Sequence, residues 1–143
     1  MMSTVQAVRL VLAVSVAATA CTVVDTLDSS NFLTGTYSAT IFLVTPTGQA
    51  PIDVLAAGGT LSITIASSGA TSGTLDVPAS VTGGTRFLAS MAGTATVTAL
   101  TVQFSQDADT FVRDLTWSRV GTALRVVDQV AGGSSFTITL LHQ

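Results

Sequence analysis

The feature that most constrains this chain is a series of short segments in which apolar and polar residues alternate between turn residues. The clearest is 60–66, where Leu61, Ile63 and Ile65 alternate with hydroxyl residues. A period of two places successive side chains on opposite faces of a β-strand. The predicted strands are 34–44, 60–66, 71–77, 92–98, 100–105, 114–120, 123–130 and 135–141.

Most connections between these segments are short, which makes consecutive strands antiparallel neighbours. Eight strands can close on themselves, and closure removes exposed edges. We therefore predict an all-β domain, an antiparallel up-and-down eight-stranded barrel, after an N-terminal signal helix. An open β-sandwich is the alternative. A membrane-spanning barrel is disfavoured, because its strands need about 9–11 residues and girdles of aromatic residues.

Three longer connections interrupt the strand pattern. Residues 49–59 suit a helical turn or a lid across a barrel mouth, 78–88 is rich in glycine and irregular, and 106–112 suits a tight turn or one helical turn.

In the first strand we expect Tyr37, Ala39, Ile41 and Leu43 on one face.

Composition supports strands and excludes one class of partner. The chain has neither Lys nor Glu, and only 9% of its residues are charged. Its polar surface must come from Thr, Ser and Gly, and β-branched Thr suits a pleated surface. The net charge is −3, and removal of residues 1–20, which include Arg9, makes it −4. Without a basic patch, nucleic-acid binding is disfavoured.

Residues 1–20 have the organisation of an export signal. Arg9 gives a weakly positive start, 10–17 is apolar, and Ala18-Thr19-Ala20 precedes Cys21. This end resembles a bacterial lipobox, with Ala18 at the position usually held by Leu. The resemblance implies a lipidated Cys21, carrying acyl chains such as palmitate that anchor the protein to a membrane.

The predicted organisation is therefore a signal peptide (1–20), a lipidated Cys21 with a tether (21–33), and a barrel domain (34–143). Three alternatives remain for the leader. They are an ordinary signal cleaved after Ala20 that leaves Cys21 a free thiol, an uncleaved transmembrane helix, and a buried helix of the domain. The apolar run is short for a span, and the Ser- and Asp-rich continuation argues against a buried helix.

Candidate catalytic and metal-binding residues are few. His142 is the only histidine and lies beside the end of the sequence, so we expect a frayed surface side chain. Asp107 and Asp109, with Gln106 and Asp114, resemble part of a calcium loop, but the closing Glu is missing. Turn and cap roles suit them better. We expect no enzyme, no metal and no cofactor.

One polar pair is a candidate for the barrel interior. Asp128 shares its parity with Val126 and Val130, which predicts an inward carboxylate. Because a buried carboxylate needs a partner, Arg119, which shares the parity of Trp117, is the natural candidate. The alternatives are a closing ion pair, or a bulge that places both side chains outside.

The candidate ligand-binding residues are Tyr37, Phe104, Trp117, Arg119 and Asp128. The aromatic residues among them suit core filling as well as a ligand cage.

Three stretches carry a family resemblance. They are Leu33-Thr34-Gly35-Thr36-Tyr37, residues 59–64 with the following hairpin, and 104–115. With the terminal strand, these resemble bacterial lipocalin-like lipoproteins, small secreted eight-stranded barrels, over 33–141. Gly35-Thr36-Tyr37 stands where eukaryotic lipocalins have Gly-x-Trp. The resemblance implies an apolar ligand.

We therefore expect a cell-envelope protein, anchored through Cys21 and facing the periplasm or the exterior. Two hypotheses remain for its function. The first is binding or carrying a small apolar ligand in the barrel. The second is a structural or interaction module with a filled barrel and an envelope protein partner. A lumen cavity of a few hundred Å³ favours the first, and a solidly packed lumen favours the second.

Overall fold

The computed structural model describes residues 33–143. The predicted signal peptide, Cys21 and the tether up to residue 32 lie outside the described residues. The strands are β1 (Gly35–Pro46), β2 (Ile52–Asp53), β3 (Thr60–Ile65), β4 (Ala70–Val77), β5 (Phe87–Ser90), β6 (Gly93–Val97), β7 (Thr101–Gln106), β8 (Thr116–Val120), β9 (Ala123–Ala131) and β10 (Ser134–His142). There are two one-turn helices: α1 (Ala79–Thr82) lies in the second of the longer connections, and α2 (Phe111–Asp114) overlaps the end of the third and extends to the first residue of the predicted strand 114–120.

Eight strands form a closed antiparallel barrel. They follow the order β1-β3-β4-β6-β7-β8-β9-β10, and β10 pairs with β1 to close the ring. Each of the predicted strands overlaps one strand of this ring. The predicted all-β, eight-stranded antiparallel barrel is thereby confirmed, and the architecture is compatible with a lipocalin-like fold.

Two positions of the ring are each shared by two consecutive short strands. β1 pairs with β3 over its first residues and with β2 further on, where Val44 lies opposite Ile52. In the same way, β4 pairs with β6 at Thr71 and with β5 at Val77, which lies opposite Phe87. The sequence pattern predicted β3 and β6 but not their short extensions β2 and β5.

The core fills the inside of the barrel. β3 shows the pattern most clearly, since Leu61, Ile63 and Ile65 are all buried as predicted. The largest fully buried side chains include Trp117 and Phe104, which lie on neighbouring strands. Each such burial stabilises the fold by about 1.5–3 kcal/mol relative to exposure.

The prediction that Tyr37, Ala39, Ile41 and Leu43 share one face of β1 is wrong. The pairing of β1 with β10 shifts its register between Ala39 and Ile41. A bulge of this kind adds one residue and exchanges the two faces beyond it. Tyr37 is therefore buried, whereas Ile41 is 42% exposed and Phe42 is buried in its place.

The inward orientation predicted for Asp128 is also wrong, for the same physical reason. β9 shifts register against β10 between Phe136 and Ile138, and Asp128 has a φ of +48°. Its exposed side chain accepts a hydrogen bond from the Thr137 hydroxyl, whose oxygen accepts the Asp128 N–H, both at 3.1 Å. The bulge alternative is correct for Asp128, and Val130 is exposed with it.

The two ends of the barrel differ in their connections. At the end we call upper, where β1 finishes at Pro46 and β4 at Val77, the connections include β2, α1, β5 and α2. At the end we call lower, where β1 begins and β8 finishes, the links 66–69, 98–100 and 121–122 are tight turns. The described chain begins at this lower end, with Leu33 buried in the core.

Candidate functional site

A pocket of about 390 Å³ opens at the upper end of the barrel. The last part of β1 and the first part of β10 form one side, and the end of β4 with α1 and β5 forms another. Its lining residues are Val44, Pro46, Gln49, Val77, Val81, Thr82, Gly83, Phe87, Phe111, Ser134 and Phe136. The volume lies within the range of small-molecule sites, about 300–1,000 Å³.

Aromatic rings line the inner side of this pocket. The ring of Phe111 stacks on that of Phe136, with centroids 4.2 Å apart and planes within 14° of parallel. Phe111 also contacts the buried Phe42, at a centroid distance of 5.9 Å. Offset and tilted contacts of this kind stabilise aromatic pairs beyond their buried area. The pocket therefore has a pre-formed apolar base.

Hydrogen bonds hold Phe111 in this place, because they fix the helix α2 on which it lies. The Trp117 indole N–H donates to the carbonyl of Val112 at 3.2 Å. The Gln103 side-chain amide donates to the carbonyl of Arg113 at 2.5 Å. Both donors belong to barrel strands, so the helix is attached to the barrel wall.

An ion pair attaches the α1–β5 side of the pocket to β4. The Arg86 guanidinium donates two hydrogen bonds to the Asp76 carboxylate, at 2.8 and 2.5 Å. These bonds hold the pKa of Asp76 below its ordinary value. The pair lies beside the contact of Val77 with Phe87, so it fixes the strand that carries Phe87.

The lining chemistry is apolar with a few neutral polar groups. Gln49, Thr82 and Ser134 are its polar members, and none of the charged residues within 33–143 lines it. The arrangement suits a small apolar molecule with one or two hydrogen-bonding groups. From the described part of the chain, neither an imidazole nor a carboxylate lies in the lining to serve as a general base for Ser134 or Thr82.

None of the five residues predicted to bind a ligand lines this pocket. Phe104 and Trp117 are packed edge to face in the middle of the lumen, with centroids 5.7 Å apart. Both are fully buried among apolar neighbours. The middle of the lumen is thus filled by side chains, and Asp128 lies outside it.

Tyr37 and Arg119 lie close together at the lower end. Burial raises the pKa of the Tyr37 phenol, and the positive charge of Arg119 opposes that rise. Arg119 itself is partly buried and pairs with Leu124 near the start of β9, whereas Asp128 lies further along that strand. The structure thus brings Arg119 to Tyr37 and does not bring it to Asp128.

His142 is at the surface, as predicted, but the prediction that it is frayed is wrong. It lies in β10, its ring is edge-on to Tyr37 at 5.1 Å, and its Nε2 is 3.2 Å from the carbonyl oxygen of Thr34. The imidazole packs against Gly35, which has a φ of +139°. This packing requires glycine, because a Cβ at position 35 would collide with the imidazole. His142 therefore helps to close the lower end.

Two polar side chains near the upper end are buried, although the sequence suggested Gln106 only as part of a calcium-like loop and did not indicate Thr110. Gln106 and Thr110 are each only 4% exposed, and neither side chain has a hydrogen-bond partner within the described domain. Gln106 shares the inward parity of Val102 and Phe104 in β7. Unpaired buried groups of this kind cost about 1–3 kcal/mol each.

The sequence also did not indicate the residues of the pocket. They come from the ends of separate strands and from α1 and α2, so no periodic pattern joins them. The one available signal was the length of the connections 49–59, 78–88 and 106–112. Long connections at one end of a barrel are where binding residues concentrate.

Within residues 33–143, no group of three or more His, Cys, Asp or Glu side chains is arranged to hold a metal ion. In the same range, no helix has the length and apolarity to cross a membrane.

No family model matches the chain, and neither a curated protein nor a solved structure does so.

Proposed function

We propose that this protein is a cell-envelope lipoprotein that binds or carries a small apolar ligand in the upper pocket. The observation that carries the proposal is the pocket itself, about 390 Å³ lined mainly by apolar side chains on an aromatic base. Apolar lining with few polar groups is the usual character of a small-molecule site.

The lipoprotein part of the proposal depends on the sequence of the leader. Cys21 follows an apolar stretch and two small residues, and it is the only cysteine of the chain. Lipidation gives this single thiol a role that a disulfide within the chain cannot. The described domain begins at the lower end, so an anchor at Cys21 would leave the pocket at the end remote from the tether.

The filled lumen favours a second candidate function. Leu61, Phe104 and Trp117 occupy the middle of the barrel, where a lipocalin-type ligand would otherwise lie. A barrel filled in this way suits a structural or interaction module that presents its surface to an envelope protein partner. Ligand binding at the upper pocket separates the two functions.

Binding of the neutral fluorophore N-phenyl-1-naphthylamine to the purified protein tests the ligand hypothesis. We expect saturable fluorescence enhancement that Val81→Trp weakens about tenfold, because the larger side chain fills the pocket. The matched control is Leu88→Trp, on the adjacent strand and outside the lining. Unsaturable enhancement, or equal loss in both variants, would favour the interaction module.

Native mass spectrometry of the protein extracted in mild detergent tests the anchor and the cargo together. We expect a chain that begins at Cys21 and carries the added mass of acyl groups, with a retained small molecule released on activation. An unmodified thiol at Cys21 would end the lipoprotein proposal without affecting the ligand proposal.

A further inference from the structure

The lower end carries exposed apolar side chains that the barrel does not use. Leu100 lies at the tip of the β6–β7 turn and is 73% exposed. Val120 ends β8, and the register joins it through Ala123 to Leu141 on β10. All three side chains are exposed, and we call them the lower rim.

Charge is distributed unequally between the two ends. The six aspartates of the described domain all lie in the upper half: Asp53, Asp76, Asp107, Asp109, Asp114 and Asp128. Two of them form ion pairs there, with Arg86 and Arg113.

The lower half of the described domain has no aspartate and contains Arg119 and Arg125. Asp25 and Asp28 belong to the preceding linker. The rim thus combines exposed apolar side chains with nearby arginines, next to an upper half that is strongly acidic.

The tether reaches the domain at this same end. Leu33 is buried beside the start of β1, and it lies twelve positions after Cys21, with eleven residues between them. An extended chain of that length spans at most about 40 Å. Anchoring therefore holds the lower rim at a high effective concentration at the bilayer surface.

We propose that the lower rim is the membrane-contact surface of the domain, with Leu100, Val120 and Leu141 in the interface of a bilayer that contains anionic lipids. The inference rests on the proposed anchor at Cys21. Apolar side chains beside cationic groups are the combination that binds such an interface. The acidic upper half faces away from it, and the pocket opens towards the aqueous side.

The test compares one probe position at each end. Leu100→Cys and Val130→Cys are matched, because the native side chains are 73% and 74% exposed and lie at the lower and upper ends. Each complete chain is produced with its leader in a bacterial host, labelled with a thiol-reactive nitrobenzoxadiazole dye, and placed in phosphatidylcholine–phosphatidylglycerol vesicles. Lipids with a nitroxide near the headgroup serve as quenchers.

We expect the dye at residue 100 to be quenched at least about twofold more than the dye at residue 130, with a blue shift that requires vesicles. Equal quenching at the two positions overturns the proposal. A blue shift at residue 100 without vesicles, growing with protein concentration, also overturns it, because a second copy then covers the rim.

The number of dyes per chain reports the proposed function separately. A lipid attached through the Cys21 sulfur leaves one reactive thiol, whereas an unmodified Cys21 gives two dyes per chain. In the second case the lipoprotein proposal fails, but the dye at Cys21 is common to both variants. The difference between residues 100 and 130 therefore still decides whether the rim contacts the bilayer.

A second pair of variants tests the rim without moving the probe. In the Leu100→Cys chain, Val120→Asp is expected to reduce quenching about twofold, because it places a negative charge on the rim. Val127→Asp, at an exposed position in the middle of β9 and outside the rim, is the control and should leave quenching unchanged. Equal effects of both substitutions would contradict a rim-specific contact.

Discussion

The two ends of the barrel differ in how they cover the lumen. At the lower end, tight turns and the side chains of Leu33, Tyr37 and His142 close the lumen. At the upper end, long connections leave a pocket above the stacked rings of Phe111 and Phe136. The comparison shows that one sheet can supply a rigid, filled base and an open binding end, because loops vary more freely than paired strands.

The first and largest expected effect separates the filled lumen from the pocket. Trp117→Ala should lower the free energy of unfolding by about 3–5 kcal/mol, because it leaves a cavity beside Phe104. Phe87→Ala, at a pocket position that is 39% exposed, should lower it by less than about 1 kcal/mol. Chemical denaturation measures both values. Similar losses would mean that the pocket is as tightly packed as the lumen.

The second effect concerns the closure of the lower end. Gly35→Ala should destabilise the fold by about 2 kcal/mol, because the residue has a φ of +139° and its Cβ would collide with His142. Gly84→Ala, in open space at the upper end, should change stability by only a few tenths of a kcal/mol.

A double substitution divides this loss into its two causes. Gly35→Ala combined with His142→Ala removes the collision but keeps the backbone strain. The double variant should therefore lose less unfolding free energy than the sum of the losses in the two single variants. Additive losses in thermal or chemical unfolding would show that His142 does not pack on Gly35.

The sequence predicted the barrel well because alternation is a local signal. Alternation within one segment is enough to predict the inward orientation of Leu61, Ile63 and Ile65, and the same holds for Phe104 in β7. The closure of β10 on β1 followed from eight strands joined mostly by short connections. These features need no knowledge of distant contacts.

Prediction from the sequence failed where a register shift or a contact with a distant residue determines the orientation of a side chain. A bulge after Ala39 in β1 moves Ile41 to the other face of its strand. A bulge in β9, opposite residues 136–138 of β10, does the same for Asp128. Alternation of apolar and polar residues alone cannot locate a bulge. The order of His142 depends on Thr34 and Gly35, more than a hundred residues earlier. The pocket joins residues from separate elements, so only the long connections indicated it.

The third prediction concerns the buried amide of the upper half. Gln106→Met should raise the free energy of unfolding by about 1 kcal/mol, because it replaces unpaired buried polar atoms with an apolar side chain of similar length. Gln103→Met is the control on the same strand. Its amide is hydrogen-bonded to Arg113, so its loss should destabilise by up to about 1 kcal/mol. A destabilising Gln106→Met would show that the amide makes a favourable interaction in solution.

The smallest effect is a shift in a titration at the lower end. Tyr37 is the only tyrosine, so phenolate absorbance follows it alone. Burial raises its pKa above 10.0, and Arg119 opposes the rise. Arg119→Gln should therefore move the titration to still higher pH, whereas Arg125→Gln, an exposed arginine on β9, should leave it unchanged.

The sign of the linked stability follows from the same shift. Because the folded state holds the Tyr37 proton more tightly than the unfolded chain, the contribution is complete below about pH 10 and is lost as the pH rises through the folded pKa. Arg119→Gln should steepen the loss of stability above that pH, since it removes the charge that favours the phenolate. A titration unaffected by Arg119→Gln, or shifted equally by Arg125→Gln, would contradict a specific interaction between Arg119 and Tyr37. The lower end would then be closed by packing alone.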